Sequence, residues 1–591
     1  MKKLMTGNEA IARGAYEAGV TLAAAYPGTP STEILENMAT YKEIYSEWAP
    51  NEKVAAEVAI GGSIAGARTL AAMKHVGMNV AADPIFTFAY TGVNGGCIIV
   101  TADDPGMHSS QNEQDNRYYA RHAKLPMIEP SNSQESKDMV KVAYEISERF
   151  DVPILYRMTT RVCHSKSIVE LGEREEVAMK EYKKDIPKYV ANPGNGKVLH
   201  VKLEEKLKEL EKFSNDCELN YTVMNDTKIG IITSGVAYEY AQEVFGKEAS
   251  YLKIGFSFPI PKDMIQDFSK KVDKLYVIEE LEPYLETEIK AMGIEVVGRE
   301  LLPTCGELNP DIIAEALKNE KREKVQKNED KVIGRPPTMC AGCPHRGFFY
   351  ELSLKKNVMI SGDIGCYTLG AAAPLNATDT VICMGASVSA GHGFAAASRQ
   401  NNRDGKVVSV IGDSTFFHSG MTGLLDIVYN QGNSTVVILD NRITGMTGHQ
   451  ENPGTGYTLM GKPAKEVDLV KLCEAIGVDT IDVVNPLELK AVNEVLDKHL
   501  ELDEPSVIIT KWPCALKKFR EEEIKEYKLD QRGVCKVDTD ACKKCKKCTK
   551  VGCPAISFSK ETGATIDPYM CVGCEVCKQV CPFDAIKTIE R

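Results

Sequence analysis

Eight cysteines near the end of the chain are spaced to hold metal. They read C-K-K-C-K-K-C-T-K-V-G-C-P from Cys542 and C-V-G-C-E-V-C-K-Q-V-C-P from Cys571, a duplicated four-cysteine run. Closely spaced thiolates converge on one face of an iron-sulfur cubane, and in the bacterial two-cluster pattern the fourth cysteine, before proline, ligates the other cluster. Cys542, Cys545, Cys548 and Cys581 are therefore expected on one [4Fe-4S] cluster, and Cys571, Cys574, Cys577 and Cys553 on its partner. Four residues separate Cys548 from Cys553 where three separate Cys577 from Cys581; the extra residue falls in a loop and removes no ligand. A double zinc site is the alternative, since C-x-x-C also binds zinc. Cys535 stands outside both repeats and is expected to ligate nothing.

A second constellation lies upstream. The strand-like VVSVIGD ends in Gly412, Asp413 and Ser414, and the strand-like TVVILDN ends in Asn441, with Ile443 just beyond. The helical pattern GMTGLLDIVYNQ crosses between them, which brings Asp413 and Asn441 to neighbouring carboxyl ends of one sheet. Two oxygen ligands facing one cleft suit Mg²⁺, which takes about six oxygens and prefers substrate phosphates to an all-protein cage. The site thus calls for a diphosphate, and Gly445 and Gly448 let backbone approach it. An ordinary turn and helix cap can also read this way. The constellation resembles the thiamine diphosphate motif, and the resemblance implies Mg²⁺ on Asp413, Asn441 and the carbonyl of Ile443. Thiamine enzymes further need a glutamate from a different domain, hydrogen-bonded to the aminopyrimidine ring, so that the ylid can form and attack a carbonyl. NEKVAAEVAIGGSIAGART offers Glu52 and Glu57. Its small-residue run GGSIAGA resembles that of 2-oxoacid ferredoxin oxidoreductases, and counting back from it selects Glu52; a merely solvated helix glutamate is the bland alternative.

Such sites need a large scaffold. The chain has 591 residues, which at roughly 150 per domain gives about four domains. Ordinary hydrophobic (43%) and charged (26%) fractions exclude disorder and coiled coil. A net charge of −12 argues against nucleic acid, which needs clustered positive charge. No apolar run approaches the roughly 20 residues of a membrane span, and the opening MKKLMTGNEAIARG is broken by Glu9 and Arg13 before a signal-peptide core forms. A cytoplasmic protein is expected, and 19 cysteines there mean metal or redox chemistry rather than disulfides.

Alternating helix-like and strand-like segments give an α/β fold class. TLAAAY stops at PGTPSTEI, where Thr29 can cap a helix with Pro30 at its first position and Glu33 complementing its dipole. IIVTA ends in DDPG and VPILY runs into RMTTR, two more strands with polar loops at their carboxyl ends. Residues 171–228 read as a charged connector, followed by a smaller α/β unit with strands IGIITSG and LYVIEE and a helix from about Ala237. The charged KNEKREKVQKNEDK reads as a linker or helix end. VICMGA, VVSVIGD, TVVILDN and SVIIT are the strands of a third α/β block.

Taken in order, YPGTPSTEI, NEKVAAEVAIGGSIAGART, MKHVGMNVAADPIFT, TADDPGMHSSQNEQDNR, MCAGCPHR, DIGCYTLG, GDSTFFHSG and the eight-cysteine tail resemble the alpha subunits of the indolepyruvate ferredoxin oxidoreductases over essentially the whole chain. The resemblance implies two parallel-sheet thiamine domains, a transketolase-C-like domain and a ferredoxin-like domain. These divide the chain as 1–170 for the pyrimidine-binding domain, 171–330 for the connector and transketolase-C-like domain, 331–530 for the diphosphate-binding domain and 535–591 for the two-cluster domain. It implies decarboxylation of arylpyruvates, acyl transfer to coenzyme A, transfer of two electrons to ferredoxin, and a smaller beta subunit in a heteromer. By the same resemblance Thr29 would contact the substrate carboxylate, beside the alternative that it only caps a helix. His108, in DDPGMHSSQ, would gate or touch substrate, with Arg161 and His164 of TTRVCHS nearby. Cys340 and Cys343 in MCAGCPHR, Cys366 in DIGCYTLG and Cys514 in KWPCAL would hold a third cubane between thiamine and the tail; packing of free thiols or a lone zinc are the alternatives. Another 2-oxoacid, pyruvate or a branched-chain keto acid, and a non-catalytic electron-transfer subunit stand as the competing functions.

Overall fold

The computed structural model of the chain describes residues 1–321, 336–403 and 405–590. From residue 322 on, the charged stretch KNEKREKVQKNEDK lies outside the described residues. The fold divides into two compact units, Met1–Asn328 and Glu329–Arg591.

The first unit is built on a seven-stranded sheet. Its order is Phe256–Phe258, Met127–Ile128, Ile154–Thr159, Cys97–Asp103, Thr69–Lys74, Leu22–Ala25 and Tyr45–Trp48, parallel except for the first pair. The central strands are buried along their length, as CIIVTAD and ILYRMT require of strands covered on both faces. A four-stranded sheet follows, ordered Lys274–Ile278, Ile229–Thr233, Ser250–Ile254 and Asn220–Val223. The connector is not irregular: it contains a 24-residue helix, Pro193–Asp216, whose N-cap Asn192 accepts from Asn195 N–H. That helix buries Leu199, Leu203 and Leu210, a sparse stripe that its lysines and glutamates mask in the sequence. The segment Phe256–Phe258, downstream of the connector, returns to extend the seven-stranded sheet. Buried ions join the two sheets. Arg117 donates to Asp115 and to Glu279, which follows the Lys274–Ile278 strand, both at 2.5 Å, and Arg157 donates to Asp103 at 2.7 Å. With all of these nearly inaccessible to water, each charge persists only because its partners are present.

The second unit contains a six-stranded, all-parallel sheet ordered Thr380–Val381, Val358–Gly362, Lys406–Gly412, Thr435–Asp440, Ser506–Lys511 and Thr480–Val484. The expected VICMGA strand shrinks to its first residue plus Thr380, because Gly385 turns the chain into the helix Ala386–Gln400. The tail forms two antiparallel pairs, Val534–Val537 with Ile586–Ile589 and Ile556–Ser559 with Gly563–Ile566. Its core, including Val534, Val551 and Ile586, is continuous with Leu487 and Leu489 and is flanked by Trp512.

Candidate active site and electron path

In the first unit, strand order reverses between Leu22–Ala25 and Thr69–Lys74, and ligand crevices of parallel sheets open at such reversals. The loop after Leu22–Ala25 carries Thr29, half-buried, whose carbonyl accepts from Ser109 Oγ at 3.3 Å. Thr29 is not the helix cap expected from its sequence. The N-cap of Thr32–Met38 is Ser31, and its Oγ donates back to the Gly28 carbonyl at 2.9 Å. Glu33 does stand in the first turn, accepting from Asn8 at 2.9 Å and facing His164 at 3.7 Å.

Glu52 opens the helix Glu52–Ala65 behind the N-cap Asn51, whose side chain accepts from Val54 N–H at 2.9 Å. It is 4% exposed and lies against Gly77 of the facing helix His75–Thr91, where a Cβ would come within 2.7 Å of its Cγ and Oε1. Glu57, further along the same helix, is exposed and pairs with Lys53. Sequence reading missed Lys74. It ends its strand beside Gly28, donates to the Ser109 carbonyl at 3.0 Å, and is held below the usual lysine pKa by burial, against the pull of Asp104 and Glu52. A lone charge closing the apolar TLAAM was the available signal. His108 and Arg161 form a separate group: Arg161 grips Glu307 with two bonds of 2.7 and 2.6 Å, and His108 stands 3.4 Å from the same carboxylate.

In the second unit the reversal falls between Val358–Gly362 and Lys406–Gly412, so Asp363 and Asp413 stand on either side of the crevice. Asp363 accepts the amides of Ile364, Gly385 and Ser387 at 2.8 to 2.9 Å and thereby braces the start of Ala386–Gln400. Asp413, 3% exposed, accepts from Asn452 Nδ2 at 3.0 Å. Burial pushes Asp413 up to about 8, and the neighbouring Asp440 adds to the shift. Two buried carboxylates in one cleft are what a divalent cation relieves, so the donor set fits Mg²⁺. Asn441, also buried, accepts from Ile443 N–H at 3.2 Å through Oδ1, while its amide nitrogen faces His345 Nε2 at 3.3 Å. Burial pushes His345 down to about 4, so the neutral ring accepts from Asn441 and fixes the amide's orientation. Neither His345 nor Asn452 was picked out in the sequence; each is distant in the chain and becomes visible only when the strands are assembled.

Beyond this cleft the four upstream cysteines lie near enough to act on one another electrostatically. Cys514 N–H donates to the Asn441 carbonyl at 2.9 Å, and Cys514 Sγ lies 3.6 Å from His449 Nε2. At Gly445 a Cβ would sit 3.5 Å from Asn441 Nδ2 and 3.6 Å from Cys366 Sγ. The Cys340–Cys343 turn closes through Cys343 N–H to the Cys340 carbonyl at 3.1 Å, and within it Gly342 faces Ala515, the neighbour of Cys514. Burial pushes Cys343 up to about 12, with Cys366 and Cys514 contributing, and Cys366 up to about 11, with Cys514 and Cys340 contributing. A metal bound by these four would take them as thiolates.

In the tail, Cys542, Cys545, Cys548 and Cys581 line one hollow, closed by Phe558, Ala564 and Phe583. Cys581 of the second repeat thus lies with the three cysteines of the first. Cys553 in turn acts electrostatically on Cys574, as does Cys571. Cys535 sits beside this second group, its amide donating to Cys571 Sγ at 3.3 Å. Among the described residues no three histidine, cysteine or acidic side chains close around a single ion, and no helix is long and apolar enough to cross a membrane.

A parallel-sheet crevice with a buried acid in the first unit, one with a magnesium-type donor set in the second, and a tail of repeated cysteines are the features of a thiamine diphosphate-dependent iron-sulfur oxidoreductase. Three family models agree: "Pyruvate flavodoxin/ferredoxin oxidoreductase, thiamine diP-bdg" over residues 13–207, "Thiamine pyrophosphate enzyme, C-terminal TPP binding domain" over 363–510, and "4Fe-4S binding domain" over 564–587. The chain is 40% identical to the indolepyruvate oxidoreductase subunit IorA of Archaeoglobus fulgidus, covering 99% of this chain and 97% of the relative. It is 38% identical to that of Thermococcus kodakarensis, covering 100% and 97%. The chain belongs to the family of indolepyruvate oxidoreductase IorA subunits. Among solved structures, a 2-oxoglutarate:ferredoxin oxidoreductase from Magnetococcus marinus aligns with a TM-score of 0.46 and 16% identity over 54% of this chain and 65% of that one.

Proposed function

We propose that this chain is the larger subunit of a cytoplasmic two-subunit enzyme that oxidatively decarboxylates indolepyruvate and related arylpyruvates. Substrate, coenzyme A and two oxidised ferredoxins give aryl-acetyl-CoA, carbon dioxide, a proton and two reduced ferredoxins. The observation that carries this reading is the identity, along the whole chain, to proteins named as indolepyruvate oxidoreductase subunits. Thiamine diphosphate, when bound, supplies the carbanion chemistry. Asp413, Asn441 and the carbonyl of Ile443 hold its Mg²⁺, with Gly412, Ser414 and Gly445 shaping the cleft. Glu52, buried at a helix start against Gly77, holds and moves the proton on the aminopyrimidine side; Glu57, exposed and paired with Lys53, does not. Thr29 and Lys74 offer a hydroxyl and a cation to the substrate carboxylate at the mouth of the first crevice. Glu307 holds His108 and Arg161 in the loops that border it.

We further assign the nest of Cys340, Cys343, Cys366 and Cys514 to a third [4Fe-4S] cluster. Its support is the contact of Cys366 and Cys514 with Gly445 and Asn441 of the diphosphate cleft, which shortens the electron's first step. The complete heteromer, purified without oxygen, should reduce ferredoxin with indolepyruvate and coenzyme A and release aryl-acetyl-CoA. Reduction with pyruvate or a branched-chain keto acid in its place would move the chain to another 2-oxoacid, and a protein that binds no thiamine diphosphate would make it an electron-transfer subunit only.

A further inference from the structure

The two tail clusters differ in what surrounds them. Around the second, the structure is turned inward. Val572, between Cys571 and Cys574, is seated on Gly342 of the Cys340–Cys343 turn so closely that a Cβ there would come within 1.9 Å of it. Gln579, between Cys577 and Cys581, bonds both the Leu489 amide at 3.0 Å and the Leu487 carbonyl at 2.8 Å. Arg346 donates to the Val551 carbonyl at 2.9 Å, just before Cys553. The cage of Cys571, Cys574, Cys577 and Cys553 thus lies against the diphosphate-binding half of its own unit.

Around the other cage the surface is open and basic. Lys543, Lys544, Lys546, Lys547 and Lys550 are all exposed, threaded between and just beyond Cys542, Cys545 and Cys548, and Cys545 is itself exposed. No acid interrupts them from Lys543 to Lys550, in a chain whose net charge is −12. Lys544 donates to the Glu561 carbonyl at 2.5 Å and Lys546 lies over the Phe558 ring. The five make no ion pair with any described residue. Phe583, 46% exposed, lines the same hollow and gives the basic collar an apolar centre. The matching stretch of the second repeat, V-G-C-E-V-C-K-Q-V, carries one lysine, Lys578, which pairs with Glu575.

We propose that this lysine collar is the docking surface for a small acidic ferredoxin, and that the cage of Cys542, Cys545, Cys548 and Cys581 is the electron outlet. The order of transfer is then the Cys340 nest, the Cys571 cage and the Cys542 cage. Each encounter moves one electron from the reduced outlet cluster to an oxidised ferredoxin, so two encounters clear the two electrons of one decarboxylation. Clustered cations mainly accelerate and orient such encounters, and they do so less as salt screens them. The inference rests on the oxidoreductase reading above, and a small viologen acceptor keeps the two separable because it needs no protein docking surface.

The test uses the whole heteromer with Lys543, Lys547 and Lys550 replaced together by glutamine, leaving Lys544 and Lys546, whose backbones are left-handed, untouched. With an acidic [4Fe-4S] ferredoxin as acceptor, KM should rise about tenfold and its salt dependence should flatten, with viologen reduction unchanged. An unchanged KM overturns the proposal, as does an equal rise from the control triple Lys202→Gln, Lys208→Gln and Lys212→Gln. Carbodiimide cross-linking of the wild-type heteromer to the same ferredoxin gives an independent reading. Peptides joined at Lys543, Lys547 or Lys550 support the collar, and cross-links confined to other lysines overturn it. Failure of viologen reduction in the wild type would instead count against the oxidoreductase reading.

Discussion

At the scale of single residues, burial separates candidates that spacing alone leaves level. Glu52 and Glu57 share one helix, but only Glu52 is shielded from water. Glu52→Gln keeps the shape and replaces one carboxylate oxygen by an amide, so turnover should fall by about 10²- to 10⁴-fold while thiamine diphosphate affinity holds; pre-steady-state and binding measurements on one preparation check both halves, and undiminished turnover would remove Glu52 from the chemistry. Asp413→Ala deletes an oxygen that would bind the cation, and the Mg²⁺-dependent part of thiamine diphosphate affinity should drop by about tenfold or more. Isothermal titration with and without Mg²⁺ reads it, and full retained affinity would place the metal elsewhere. That Asp413 and Asn441 end neighbouring strands was legible from the strand-helix-strand pattern, and the grouping of Cys542, Cys545, Cys548 and Cys581 from the repeated cysteine spacing. Lys74, Asn452 and His345 were not, since their relevance depends on which strands become neighbours.

At the scale of elements, strand positions were legible wherever β-branched residues run together, as in VVSVIG and TVVILD. The helix Pro193–Asp216 was hidden because three buried leucines among many charges resemble a solvated linker. Thr29 was misread as a cap because S, T and P all suit that place, and only the bend of the loop decides that Ser31 takes it. The loop after Lys274–Ile278 adds a charge relation that no spacing shows. Burial pushes Glu280 up to about 7, Glu307 adding to it, although Glu280 accepts the Leu308 amide at 3.0 Å. An acid with a folded pKa above its unfolded value of about 4.3 contributes stability that is whole below the latter and lost as pH rises toward 7. Glu280→Gln keeps the acceptor and cannot ionise. Its thermal midpoint should therefore match wild type at about pH 4 and exceed it at about pH 8; parallel curves across that range would show that Glu280 does not titrate there.

At the scale of the whole molecule, cofactor content is the deciding quantity. Three cubanes predict about twelve irons per chain, and Cys343→Ser should lower that to about eight while the tail's paramagnetic signals persist. A wild-type count of about eight would leave the upstream thiols as packing. Cys535→Ala should keep the full count: it removes a thiol that touches Cys571 and Cys577 but leaves the amide that donates to Cys571 Sγ. The domain order was legible from motif order, but the contact of the cysteine turn with the tail was not, since Gly342 and Val572 lie far apart in the chain.

That contact bears on how this architecture can be rearranged. A ferredoxin-like segment at the end of a chain invites transplantation as a cassette, yet here Val572 occupies the space that any side chain at position 342 would need, and the tail's core merges with Leu487 and Leu489. A grafted tail would arrive without its complementary socket. Exchange between relatives should succeed only when the MCAGCPHR turn travels with the tail, so the unit of inheritance in this enzyme is the pair of surfaces rather than the cysteine repeat.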